Sequence, residues 1–272
     1  MNELFGALFD PLFIRPFFTG LCFAALLPLF GAYLRLRDEW LAALAFAQTA
    51  AAGSLLAMLA GVPLMLGGLL AAGAAAALKS GFEGAARGVQ GAAYALLLVA
   101  GWAVSVLLVA NLPLAERLGH ALFDGQLYFT DASHLVAALA SVALFGAGLL
   151  RLSNGLLLAH FFPDFFRARG RSVRRIHFVF DLLVAAALAL ATMSVGVMAA
   201  FALVFVPPWV AWSWSMSWHR SLLAGVLVSV GSYVSAFMLA LVFDQPFGPV
   251  LALILVLVGV VSSVARGFRH PG

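Results

Sequence analysis

Apolar residues fall into long uninterrupted runs at 17–34, 41–60, 63–78, 91–110, 134–152, 177–193, 196–213, 221–243 and 247–265, separated by short polar gaps. About 20 helical residues cross a hydrocarbon core of about 30 Å, so the pattern predicts about nine membrane-spanning helices, with eight or ten also compatible. The runs 63–78 and 177–193 are short. The pairs 41–78 and 177–213 have such tight connections that each reads either as two spans or as one bent, partly re-entrant unit. Backbone polar groups in lipid must be satisfied within their own segment, so the expected fold is all-α, a polytopic helix bundle. Small residues concentrate at Ala50–Gly53 and from Gly67-Gly68 to Ala77, where backbones are expected to approach closely.

The polar gaps carry a second pattern. Arg35 and Arg37 follow the first run, Lys79 and Arg87 the third, Arg151, Arg167, Arg169, Arg171, Arg174 and Arg175 the fifth, Arg220 the seventh, and Arg266 and Arg269 the last. Of the 15 Lys+Arg, only Arg15 and Arg117 fall in the alternate gaps. By the positive-inside rule the basic gaps face the cytoplasm, placing the N-terminus outside and the C-terminus inside. The chain reads as a single transmembrane domain over 1–272, with an extracytoplasmic polar segment at 111–133 and a cytoplasmic one at 153–176.

Composition narrows the class. The chain is 64% hydrophobic and 10% charged, well below the roughly 25% charged residues of soluble domains. The net charge of +4 is concentrated in one cytoplasmic stretch, where lipid headgroups or an acidic protein groove suit it better than nucleic acid. One cysteine, Cys22, excludes an internal disulfide and a multi-cysteine metal cage. The first run has no small-residue cleavage site after it and reads as a retained span rather than a signal peptide.

Chemistry-bearing motifs are sparse. Lys79 is the only lysine and stands in Ala-Leu-Lys-Ser-Gly, not in a phosphate-binding loop. No nucleophile elbow or His-Glu-x-x-His set is present, and no catalytic residues are expected. Charges within the spans are few, as their cost of about 2.5–3.5 kcal/mol at a helix centre dictates. Work for uphill transport is therefore expected from another subunit.

Three short motifs remain. Pro163-Asp164 is followed by Gly170, with Arg167 and Arg169 between; Val195-Gly196 is followed by Pro207; and Asp244-Gln245-Pro246-Phe247-Gly248-Pro249 precedes the last run. Leu122-Phe123 and Gly125 match a fourth, Leu-Phe-Gly-Asp, loosely, with Asp124 inserted. In this order and register, from about Arg37 to Val264, they resemble the permease subunits of bacterial ABC importers for divalent metal ions. The resemblance implies a homodimer in the inner (cytoplasmic) membrane, two ATP-binding subunits, an extracytoplasmic solute-binding protein, and zinc or manganese as leading cargo. ATP would be bound by the partner subunit, with no cofactor in this chain. The short helix from Pro163 to Gly170 would be the coupling helix seated on that partner, with Pro163, Asp164, Arg167, Arg169 and Gly170 as its contact set.

One position departs from the family. These permeases usually carry Asp-x-x-x-His on the second span, an i,i+4 pair on one helix face. Here Leu44 and Gln48 occupy those places. Leucine cannot ligate a metal, and Gln48 offers only an amide oxygen. Two explanations follow. The metal step is relocated to His120 and Asp124, also at i,i+4, or the cargo is a metal chelate or another small molecule that needs no ligand pair. A secondary transporter or channel is a third reading, without the paired intramembrane charges or repeated broken helices it calls for. His120 and Asp124 read equally as an exposed surface pair. His177 and Asp181 are expected to pair locally at the membrane interface, and His160 and His219 to be structural. Cys22, Met58 and Met65 are expected to pack as hydrophobes. Trp209, Trp212, Trp214 and Trp218 read as an interfacial belt, and Pro207-Pro208 should kink or end a helix.

Overall fold

The computed structural model describes residues 11–83, 86–125, 132–168, 172–214 and 217–267. Arg169 and Gly170 lie outside them, and for Arg167 and Asp124 only the backbone is described. In chain order the helices are α1 (Pro11–Leu36), α2 (Trp40–Leu59), α3 (Leu64–Gly81), α4 (Arg87–Asn111), α5 (Pro113–His120), α6 (Ala132–Phe161), α7 (Pro163–Ala168), α8 (Val173–Val195), α9 (Val197–Trp214), α10 (Trp218–Phe243) and α11 (Phe247–Gly267). A π-helical turn, Ala121–Gly125, follows α5. Among the described residues nine helices are long and apolar enough to cross a membrane: all but α5 and α7. The protein is a multi-pass membrane protein of helical-bundle fold.

The two doubtful pairs resolve into separate spans. α2 and α3 are joined by residues 60–63, where Gly61 takes φ +66°. α8 and α9 are separated by Gly196 alone, at φ 90° and ψ 160°, a region essentially reserved for glycine. The span expected at 134–152 is longer at both ends: α6 continues through Ser153, and Tyr33 of α1 donates to Ser153 Oγ at 2.7 Å.

Helices α1, α2, α8 and α9 form the centre, and α4, α6, α10 and α11 present broad apolar faces outward. The small-residue stretches set the close crossing of α2 and α3. A Cβ on Gly53 would fall 2.4 Å from Gly67 O, and one on Gly67 would fall 2.3 Å from Gly53 O, so α2 and α3 touch backbone to backbone.

Pro207 and Pro208 neither end nor interrupt α9, which continues to Trp214. A proline removes the bond to the carbonyl four residues earlier, so Pro208 releases the Val204 carbonyl. That oxygen meets Gly31 of α1 so closely that a Cβ there would lie 1.8 Å away. The crossing gives the freed acceptor a weak Cα–H contact and explains why the helix persists.

Candidate translocation site

Leu44 and Gln48 lie on α2, one turn apart, and share a face with Ala47, Ala51 and Leu55 by helical spacing. That face is covered. Ala47, Ala51 and Leu55 pack in one buried cluster with Ala115 of α5, Leu122 of the π turn and Val197 of α9, and Leu44 packs against it. α5 folds back along α4, with Gly119 against Val109. The segment read from sequence as an external connection thus enters the bundle and lids the α2 face.

Gln48 is 6% exposed, and its amide oxygen Oε1 is buried without a hydrogen-bond partner. Ser54 Oγ on α2 and Thr192 Oγ1 on α8 are buried and unpartnered in the same way. Each orphaned group costs about 1–3 kcal/mol, so three on two adjoining helices ask for a functional reason. They offer neutral oxygens and no carboxylate, thiolate or imidazole. Of the three, Gln48 is the one that shares the lidded α2 face, whereas Ser54 Oγ lies toward Gly68 of α3, where a Cβ would stand 2.7 Å from it. A neutral amide oxygen suits hydrogen bonding to a polar cargo better than stripping and binding a bare transition-metal ion.

His120 ends α5 and is exposed. The α-helix stops there and the π turn that holds Asp124 follows without a break, so the two residues stay four apart along one continuous helical segment. Among the described residues no group of three or more His, Cys, Asp or Glu is placed to hold a metal ion. Cys22, half-buried, packs against the main core, and Met58 against the α2-face cluster.

The other motifs fall at structural junctions. Pro163 and Asp164 open α7, which runs only to Ala168, and Asp164 is exposed. Val195 closes α8, and Gly196 makes the break to α9. Gly125 (φ +76°) meets that break so closely that a Cβ on it would lie 2.3 Å from Val195 O. Asp244, at φ 50°, turns the chain out of α10; Pro246 precedes α11, and Gly248 and Pro249 form its first turn, beside fully buried Phe247. The tryptophans cluster as expected: Trp218 packs edge-on against Tyr33 and Trp212, and Trp214 donates to Ser262 at 2.6 Å.

At the arginine-rich end lies a feature the sequence reading missed. Arg37, in the α1–α2 turn, donates Nη1 to Asp181 Oδ1 at 2.9 Å and holds Glu39 Oε2 at 2.6 Å. Lys79, in the last turn of α3, donates to Glu39 Oε2 at 2.9 Å and to Asp181 Oδ2. Lys79 and Asp181 are almost wholly buried, at 2% and 0% exposure. His177 Nδ1 lies 2.8 Å from Glu83 Oε1, which is 3.6 Å from Arg37 Nη2. Tyr94 of α4 places its ring 5.9 Å from Lys79 Nζ. Burial alone would lower the Arg37 pKa, but Asp181, Glu39 and Glu83 outweigh it and hold Arg37 above its ordinary value. His177 and Asp181 therefore do not pair with each other. Each reaches across to another element.

The bundle, its family-pattern junctions and the lidded α2 face define a membrane permease subunit of an ABC transporter. Residues 10–266 match the ABC 3 transport family, to which this chain belongs. It is 25% identical over 273 residues to the "Chelated iron transport system membrane protein YfeD" of Yersinia pestis, covering 97% of this chain and 90% of that one. Its fold is similar to that in "PsaBC from Streptococcus pneumoniae in complex with Fab", at a TM-score of 0.84 and 17% identity, covering 96% of this chain and 94% of that chain. It is also similar to "An inward-facing conformation of a putative metal-chelate type ABC transporter", at a TM-score of 0.78 and 19% identity, covering 93% and 85%.

Proposed function

We propose that this chain is the translocating subunit of an ABC importer in a bacterial inner membrane. It works as a homodimer with two ATP-binding subunits, and a solute-binding protein delivers the cargo from outside. Family membership supports the importer reading, as does the lack of any phosphate-binding loop for ATP. The arginine-rich end, with α7, faces the cytoplasm, in keeping with the positive-inside pattern. There α7 receives the motion of the ATP-hydrolysing partner.

The family resemblance points to zinc or manganese, but one observation shifts the cargo toward a metal carried with its own ligands, a chelate. That observation is Gln48, a buried and unpartnered amide oxygen beside Leu44 where a metal-binding pair is usual. A neutral site of this kind neither strips a metal from its chelator nor traps it. The name of the Yersinia pestis relative, a chelated-iron system, agrees. The test is uptake into proteoliposomes holding the complete complex, with radioactive iron as its citrate chelate, manganese(II) and zinc(II) offered separately. ATP-dependent accumulation of the iron chelate over both free ions is expected. Preferential uptake of free manganese or zinc overturns the cargo assignment, and equal uptake without ATP overturns the importer.

A further inference from the structure

Asp181 ties its own helix, α8, to the α1–α2 turn and to α3. It stands in the third turn of α8, and α8 begins only four residues, 169–172, after α7 ends. Its two oxygens are held by cations from two different places, Arg37 in the α1–α2 turn and Lys79 in α3. Both cations also share Glu39, the residue immediately before α2.

Farther along, α8 meets α3 at small groups, as where Ala189 lies against Gly68. Smooth contacts of that sort permit packed helices to slide. The charged contacts do not. Separating a fully buried carboxylate from two cations leaves uncompensated charge in a low-dielectric interior. The lower half of α8 and the first turn of α2 therefore move as one piece. Stability alone does not explain the arrangement, since well-packed apolar residues commonly replace buried ion pairs without loss. Directional attachment does.

We propose that the Asp181–Lys79–Glu39–Arg37 bridge transmits displacement of α7 through α8 to α2, the helix that carries Gln48. These are positioning residues for transport. The proposal rests on the importer reading above.

The test uses the complete complex in lipid nanodiscs, with Cys22→Ala as background and nitroxide labels at Ser172→Cys, before α8, or at Ala60→Cys, beyond the far end of α2. Distances between the two copies are measured with and without ATP plus vanadate. In the parent complex both distances are expected to change with nucleotide. In Lys79→Met/Asp181→Leu, an apolar replacement chosen to keep the fold, the Ser172 change persists, the Ala60 change disappears and ATP-driven uptake is lost at an unaltered melting temperature. Lys79→Arg, which keeps the charge, retains both changes. If the apolar double variant still moves Ala60 and transports, the transmission role is wrong. If its melting temperature falls in step with uptake while Ala60 still responds, the bridge is structural and the proposal is overturned. If the parent complex shows no nucleotide response even at Ser172, the importer reading itself falls, and the bridge proposal with it.

Discussion

Gly67→Ala tests the close backbone crossing between α2 and α3. Its new methyl would stand 2.3 Å from Ala57 Cβ and 2.3 Å from Gly53 O. Carbon atoms settle at about 3.5–4.0 Å, so α3 must withdraw by roughly 1 Å. A gap of about 0.5–1 Å forfeits a quarter to a half of the dispersion energy of every contact it opens. Overpacking of this kind costs about 1–3 kcal/mol, and the obstacle here is backbone, which cannot rotate away. Alanine returns about 1 kcal/mol of helix propensity over glycine. A net loss of up to about 2 kcal/mol is expected. Gly73→Ala is the matched control on the same helix. Its Cβ would meet only Leu182 Cδ2 at 4.0 Å, an ordinary contact, so propensity alone acts and stability should rise by up to about 1 kcal/mol. Thermal unfolding of both purified variants in one detergent measures the difference. Because each glycine faces the other's carbonyl, the double variant Gly53→Ala/Gly67→Ala should cost less than the sum of the two singles. A Gly67→Ala protein as stable as Gly73→Ala would refute the reasoning from close approach.

Two further outcomes follow from the site. Gly196→Ala forces a side chain into a glycine-only backbone region and sets its Cβ 2.8 Å from Gly125 N; the strain alone costs about 1–3 kcal/mol, read as a lowered melting temperature, and a wild-type value would show the α8–α9 break to be more plastic than its dihedrals imply. Gln48→Leu removes an orphaned amide worth about 1–3 kcal/mol of lost solvation, so thermal stability should rise while ATP-driven uptake falls. Unchanged uptake would take Gln48 off the cargo's path.

The spans were legible because apolar run length and basic-gap alternation are set by the bilayer itself, which acts on every helix alike. Glycine positions were legible in the same way: Gly53, Gly67 and Gly196 stand where backbones must meet or turn. The charge cluster was not. Its members, Arg37, Glu39, Lys79, Glu83, His177 and Asp181, come from three separate gaps and helix ends, and each alone looks like an ordinary residue at a membrane interface. His177 and Asp181 suggested a local pair only because spacing along one helix is the sole geometry that a single sequence displays. A usable signal was present, since Glu39 and Glu83 are acids in basic gaps and Asp181 is the one acid in the apolar run 177–193. Pro207-Pro208 does not end α9, which runs on to Trp214, and the carbonyl released by Pro208 lies against Gly31, far away in the chain.

The lid over α2 constrains how transport can proceed. Gln48 lies on a face closed by Ala115, Leu122 and Val197, and α4 presses on the same turn, where a Cβ on Gly101 would lie 2.8 Å from the Gln48 carbonyl carbon. In this conformation nothing the size of a chelate reaches the amide. Cargo contact therefore requires α2 to move relative to α5 and the π turn. The two ends of that boundary differ in kind. At the lid the contacts are apolar side chains, among them Leu55, Leu122 and Val197, which carry no charge to hold the two sides in one direction. At the arginine-rich end, α2 is tied to α8 through buried charge. A displacement arriving through α8 thus finds one stiff attachment and one loose one, and the loose one must yield. Opening at the lid is then the mechanical consequence of where the bundle placed its ionised groups.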